Sequence, residues 1–365
     1  MRLDWSKKQI EQNLKNINSK RGKSVADKEL KNIYKQYLFG IQEDKIDRFE
    51  EIKIPKDVMI DAIEDKCIEF ATYINLLPED AQTSIFIVLE TLDKMYIDNR
   101  CIKISKKSVS NEQLLKQSYD IFNSISPSLI KYLNMLYKNK NVKTTTTNPL
   151  KAESCCFFDE TNNQDYVYFS KMVYQFLSEE SMYNHELAHA ITGVSKTPYL
   201  KTTMLSEFHS IYTNLYTDKE IFDKTKNNNY LYSYYNYLKT MQEYLICLSI
   251  LLKIAKNKIT EKNLRNVSRE CLYKNSIKEL YQYTTNIDLN CLTYLVSGIA
   301  ALHLQTMDKE KSNHLFYKTI ENPTKNISKF FKLIELNYKD IYYMRDIFNE
   351  ANCTTLNKIR KLNKK

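Results

Sequence analysis

Two histidines and a glutamate stand at a spacing that suits metal chemistry. His185 and His189 are four residues apart, so on a helix both side chains lie on one face and can bind one metal ion. Glu186 follows the first histidine, where a carboxylate can take a proton from water that the metal activates. The pattern predicts a metal-dependent hydrolase. The alternative is two histidines on an ordinary helix with no metal.

The residues around this pattern favour the helix that it needs. Ser178 is a good N-cap, and Glu179 and Glu180 fall in the first turn, where the helix dipole favours negative charge. Gly193 can end the helix, because glycine readily adopts the left-handed conformation found after helix C-termini.

A third metal ligand is needed, because catalytic zinc usually has three protein ligands and one open position. Residues 190–206 contain no Asp, Glu, His or Cys, so Glu207 is the first candidate and should lie on the next helix. Ser210 and Asn214 share its helical face and could orient its carboxylate. His209 competes as a ligand, but it is two residues further on and points roughly 160° away from Glu207 on an ideal helix.

Composition predicts a mainly α fold. The chain has 365 residues but only four glycines and six prolines, too few for the turns of a β-sandwich or a dinucleotide-binding fold. Residues 154–158 and 166–170 read as the two strands of one small hairpin beside the metal-binding helix. Its free edge could pair with a peptide substrate, or the hairpin could simply cover the core.

The chain divides into three parts by pattern. Residues 1–138 read as an N-terminal helical scaffold, residues 139–150 as a polar linker or loop, and residues 151–365 as the catalytic region with further helices at its end. Apolar periodicity within the scaffold predicts helices at 10–17, 27–39, 56–76, 80–98, 111–124 and 128–137.

Charge and apolar patterning point to a cytoplasmic protein. The net charge of +10 comes from interspersed residues of both signs, which favours a solvated surface over nucleic-acid binding. The N-terminus lacks the apolar core of a signal peptide, and the longest apolar run, 244–252, is too short to span a membrane. Eight cysteines without a C-x-x-C pair are expected to be reduced, buried thiols. The sequence gives no indication of the oligomeric state.

Four segments together resemble the zinc oligopeptidases of the thimet oligopeptidase and oligoendopeptidase F family. They are Lys151-Ala-Glu-Ser-Cys-Cys with the strand at 166–169, His185-Glu-Leu-Ala-His-Ala, Glu207-Phe-His-Ser, and Tyr294-Leu-Val-Ser-Gly-Ile-Ala-Ala-Leu. The resemblance implies a mostly helical fold around a deep channel, one zinc ion and hydrolysis of short peptides. It also implies a tyrosine that stabilises the oxyanion, for which we nominate Tyr294, with His303 as the second choice.

The sequence therefore predicts a zinc metallopeptidase for oligopeptides, with His185, His189 and Glu207 as ligands and Glu186 as general base. A different class stays open: a non-catalytic helical binding or scaffold protein with a degenerate or structural metal site. A nucleic-acid-binding helical protein is a third reading, which rests on the net charge alone.

Overall fold

The computed structural model describes residues 54–75, 101–104, 109–145, 154–159, 163–171, 176–193, 205–285, 291–324, 326–337 and 341–362, with a few isolated positions. The chain divides into the units Met1–Pro55 and Lys56–Lys365, and every element below lies in the second unit. The helices predicted at 10–17 and 27–39, and most of the one at 80–98, lie outside the described residues.

Helices dominate the described part of the chain, which confirms the predicted fold class. They are α1 (Lys56–Asn75), α2 (Asn111–Ile125), α3 (Ile130–Lys138), α4 (Glu179–Ile191), α5 (Phe208–Thr225), α6 (Asn228–Ala255), α7 (Glu261–Leu272), α8 (Ile277–Thr285), α9 (Cys291–Gln305), α10 (Lys309–Glu321), α11 (Ile327–Leu333) and α12 (Ile341–Leu362). A short 3-10 turn, Pro127–Leu129, precedes α3. None of the described helices has both the length and the apolar character needed to cross a membrane.

Side-chain caps determine where several helices begin. The hydroxyl of Ser110 accepts a hydrogen bond from the backbone N–H of Gln113, and the Gln113 side chain accepts one from Ser110 N, both at 3.1 Å. This reciprocal pair starts α2. Thr260, Asp308 and Asn326 cap α7, α10 and α11 with single side-chain bonds.

A three-stranded sheet with the order β1-β3-β2 accompanies the helices. Strands β2 (Cys155–Asp159) and β3 (Gln164–Ser170) pair antiparallel, which confirms the predicted hairpin. Strand β1 (Val142–Thr145) pairs parallel to β3. Residues 142–145 of the segment predicted as a linker or loop therefore form a strand. The β-branched residues of this short polar stretch suit a strand once β3 offers an edge to pair with.

Helices α4 and α5 pack against each other inside the main hydrophobic core. Leu187 of α4, Phe208 and Ile211 of α5, and Leu295 of α9 are all completely buried in this one cluster. Since each buried apolar side chain of this size contributes about 1.5–3 kcal/mol to folding, the core holds α4 and α5 firmly in place.

Gly298 of α9 lies where a larger residue would collide with α6. A Cβ atom at this position would sit 2.2 Å from Met241 Cε and 2.9 Å from its sulfur. The Met241 side chain therefore fills the space beside this glycine.

All eight cysteines are free thiols. Cys101, Cys155 and Cys353 are exposed, however, so the prediction that the thiols are buried fails for these three.

Candidate metal centre

Helix α4 presents its two histidines side by side. Its N-cap is Ser178, whose hydroxyl accepts from Ser181 N at 3.1 Å, and the chain turns away at Gly193 with a φ of 69°. Both helix signals read from the sequence are thus confirmed. His185 and His189 share one face, and their ring centroids lie 5.1 Å apart.

Glu207 brings a carboxylate to the same point from the turn immediately before α5. Its Oε2 atom lies 3.4 Å from His185 Nε2 and 3.3 Å from His189 Nε2. One ligand atom from each of the three residues lies within 4.8 Å of the others. Ser210 supports the carboxylate, because its hydroxyl donates to Glu207 Oε2 at 3.1 Å.

The charges of this cluster keep Glu207 ionised. Burial alone would raise the pKa of Glu207, but the charge of His189 and hydrogen bonds from both histidines hold it well below its usual range. Burial conversely lowers the pKa of His189, while the Glu207 carboxylate more than offsets this and raises it. Two imidazoles and one ionised carboxylate form a donor set that fits a single metal ion.

Glu186 lies beside these three residues, but its carboxylate has a different hydrogen-bond partner. The backbone N–H of Cys156 in β2 donates a hydrogen bond to it. Burial raises its pKa, and although the charges of His185 and His189 act in the opposite direction, the net pKa is raised. A carboxylate with increased proton affinity suits a general base that must later release its proton.

Two other residues near Glu207 have partners elsewhere. Asn214 does not bond to Glu207 within the described structure. Its Nδ2 donates to Met182 Sδ at 3.6 Å. His209 Nε2 lies 2.8 Å from Thr319 Oγ1, and burial, with the charge of His189, lowers the pKa of His209 to about 3. The structure therefore brings Ser210 to the carboxylate but neither Asn214 nor His209.

The nominated oxyanion donors are placed very differently. Tyr294 of α9 is partly buried, with its ring 6.1 Å from that of Tyr244. His303 is 2% exposed and has both ring nitrogens engaged, Nδ1 at 2.9 Å from the hydroxyl of Tyr343 and Nε2 at 2.9 Å from the Ile334 carbonyl. A histidine held in this way supports the packing of α9, and no contact recorded among the described residues links His303 to the metal ligands.

Tyr237 of α6 is a candidate that the sequence did not single out. It is 8% exposed; burial raises its pKa well above the usual value, and the negative charge of the Glu207 carboxylate raises it further. Its hydroxyl therefore lies in the electrostatic field of the metal centre. Five tyrosines occur between positions 230 and 237, and nothing in their spacing distinguishes this one.

Comparison with known proteins identifies the fold. No protein-family model and no curated protein matches the chain. A provisionally assigned peptidase from Chlamydophila abortus superposes with a TM-score of 0.55 at 13% identity, covering 85% of this chain and 56% of that protein. A provisionally assigned oligoendopeptidase F from Bacillus anthracis str. Ames gives 0.51 at 10%, covering 95% and 73%, and PZ peptidase A with an inhibitor gives 0.51 at 10%, covering 96% and 75%. At these identities the likeness concerns the fold alone, and the chain has the helical fold of these peptidases.

Proposed function

We propose that the chain is a zinc-dependent peptidase that hydrolyses oligopeptides, with His185, His189 and Glu207 as zinc ligands. The observation that carries the proposal is the convergence of both histidine Nε2 atoms on Glu207 Oε2, at 3.4 and 3.3 Å, with Glu186 beside them. The peptidase fold of the structural neighbours supports the same reaction.

The spacing of the donor atoms fits a zinc ion. With metal–ligand distances of about 2.0–2.1 Å, the corners of a tetrahedral zinc site lie about 3.3–3.4 Å apart. The distances from His185 Nε2 and His189 Nε2 to Glu207 Oε2 match this separation. When bound, Zn²⁺ acts as a Lewis acid that lowers the pKa of water and polarises a substrate carbonyl.

Glu186 moves the proton in this scheme. It takes a proton from the attacking water as the water oxygen bonds to the scissile carbonyl carbon. When the carbon–nitrogen bond breaks, the same carboxyl group gives that proton to the departing amine. The hydrogen bond from Cys156 N holds the carboxylate on the side facing β2, and the tyrosine hydroxyl of Tyr294 or Tyr237 donates to the developing oxyanion.

The β2 edge offers a place for an extended substrate. Among the described strands, β2 pairs with β3 on one side, and its other side lies beside Glu186. A peptide added along that edge would be held by main-chain hydrogen bonds, which depend little on its side chains.

The substitution Glu186→Gln tests the proposal. We expect the variant to keep its zinc, because Glu186 is not a ligand, and to lose peptide hydrolysis by at least a hundredfold. Cleavage of a mixed peptide library is read by mass spectrometry and metal content by elemental analysis. Glu310→Gln, at an exposed position of α10, is the matched control and should cleave like the wild type. Undiminished cleavage by Glu186→Gln would overturn the assignment.

The second candidate function is a helical binding protein with a structural metal site. It predicts metal retention without any Glu186-dependent cleavage, so the same experiment distinguishes it. The ionised Glu207 fits both candidates, whereas a buried carboxylate beside the ligands with a raised pKa favours the enzyme. A cytoplasmic location and the lack of nucleic-acid and membrane partners stay predictions.

A further inference from the structure

The outward face of the sheet carries aromatic side chains next to the metal centre. In the β2–β3 register, Phe157 stands opposite Tyr166, and Cys155 opposite Tyr168. The rings of Phe157 and Tyr166 stack with centroids 5.4 Å apart and planes 13° from parallel. Phe157 is nonetheless 51% exposed. We call Phe157, Tyr166 and Tyr168 the aromatic shelf.

Cys156 links this shelf to the metal centre. Its N–H donates to Glu186, so this N–H points away from β3 and towards the other edge of β2. No other described strand pairs with that edge, which we call the open edge. Helix α4 packs on the opposite face of the sheet, where Phe169 contacts Tyr183 with ring centroids 5.0 Å apart. The open edge of β2 therefore runs past Glu186, with the metal ligands on one side and the aromatic shelf on the other.

An extended peptide bound along this edge would contact the two faces of the sheet with alternate residues. Side chains alternate between the faces of a sheet, so a residue that faces the metal centre has neighbours that face the shelf. Directly opposite residues on adjacent strands have Cβ atoms about 4.5–5.5 Å apart. A side chain paired with Phe157 would thus extend the stacked row of Phe157 and Tyr166 by one member and cover the exposed half of the Phe157 ring.

We propose that the aromatic shelf is a specificity subsite, which selects peptides with an aromatic or large aliphatic residue beside the scissile bond. The inference rests on the proposed peptidase function and adds the substrate class. A single exposed phenylalanine is ordinary on a protein surface. Phe157 differs because a flat stacked partner supports it and because it stands one residue from the backbone group that contacts Glu186.

Binding measurements in a Glu186→Gln background test the inference without turnover. The glutamine carbonyl can still accept from Cys156 N, so the β2 edge keeps its geometry. Fluorescent alanine-based peptides carrying one Phe, Asp or Gly at each scanned position are titrated by anisotropy. At one position Phe should bind about tenfold more tightly than Gly.

Adding Phe157→Lys should abolish this preference and create a preference for Asp at the same position. A new preference cannot come from misfolding. Ile68→Lys, at a residue of α1 that is 58% exposed, is the matched control and should leave the Phe preference unchanged. Equal binding of Phe and Gly at every position, or an unchanged preference in Phe157→Lys, would overturn the inference.

Cleavage by the protein with Glu186 intact separates this inference from the proposed function. If Glu186-dependent cleavage occurs and its sites show the Phe157-dependent preference, both hold. If it occurs without that preference, the shelf assignment alone is wrong. If no Glu186-dependent cleavage occurs, the proposed function fails and the substrate assignment of the shelf fails with it.

Discussion

At the scale of single residues, Glu207 joins the two halves of the candidate site. Its Oε2 atom faces His185 and His189 and accepts from the Ser210 hydroxyl, so one oxygen serves three partners. The ligand spacing within α4 follows helical periodicity and could be read from the sequence. Asn214 could not be predicted correctly, since its partner, Met182, depends on how α4 and α5 pack.

We expect Glu207→Ala to lose its bound metal, because two imidazoles alone form an incomplete site. Metal content after dialysis should fall from about one per chain to near zero, as measured by elemental analysis. His209→Gln is the control and should keep the metal, with circular dichroism confirming that both variants fold. Full metal content in Glu207→Ala combined with loss in His209→Gln would assign the third ligand to His209.

At the scale of elements, a buried acid holds the start of α4. Asp218 of α5 is completely buried and accepts hydrogen bonds from Ser178 at 2.8 Å and from Ser233 of α6 at 2.7 Å. The Ser181 hydroxyl lies 2.7 Å from Ser178 Oγ and belongs to the same network. Burial raises the pKa of Asp218 to about 8.

This raised pKa predicts that stability falls as pH rises. Between about pH 4 and pH 8 the folded protein keeps a proton on Asp218 that the unfolded chain has released. The free energy of unfolding should therefore decrease, by up to about 1.4 kcal/mol per pH unit. Asp218→Asn should reduce this slope. It will not remove it entirely, because the pKa of buried Glu180 is raised as well.

Urea unfolding across this pH range, with chelator present to remove metal effects, measures the slope. Asp223→Asn, an exposed acid on the same helix, is the control and should leave the slope unchanged. An identical slope in wild type and Asp218→Asn would show that Asp218 is ionised in the folded protein.

The sheet shows which elements a sequence can reveal. Strands β2 and β3 are short runs rich in aromatic residues with a polar segment between them, so their hairpin was predictable from pattern alone. Residues 142–145 are short and polar, and they form a strand only because β3 has an edge for them to pair with. The sequence did not single out Tyr237 either, because its position near Glu207 depends on how the helices pack.

For the protein as a whole, a metal bound by His185, His189 and Glu207 would link α4 to the turn before α5. Both helices also pack in the main hydrophobic core. A ligand that binds only the folded state stabilises it, by about 2.7 kcal/mol when its concentration is a hundred times its Kd. Metal and core packing should therefore act on the same global unfolding transition.

We accordingly expect a chelator to lower the Tm of the wild type by several degrees, measured by differential scanning calorimetry. Glu207→Ala should show no such shift, since it has no site to empty. An equal shift in both proteins would mean that the chelator acts elsewhere than at these ligands.

The contact between Cys156 N and Glu186 has a consequence for how this chain can change over time. A hydrogen bond from the main chain does not depend on the side chain that follows it. Substitutions at position 156 that the adjoining core accommodates can thus leave the base in its orientation, whereas proline, which has no N–H, removes the donor. The orientation of the proposed general base therefore depends on the path of the backbone, which the identity of the residue at position 156 does not reveal.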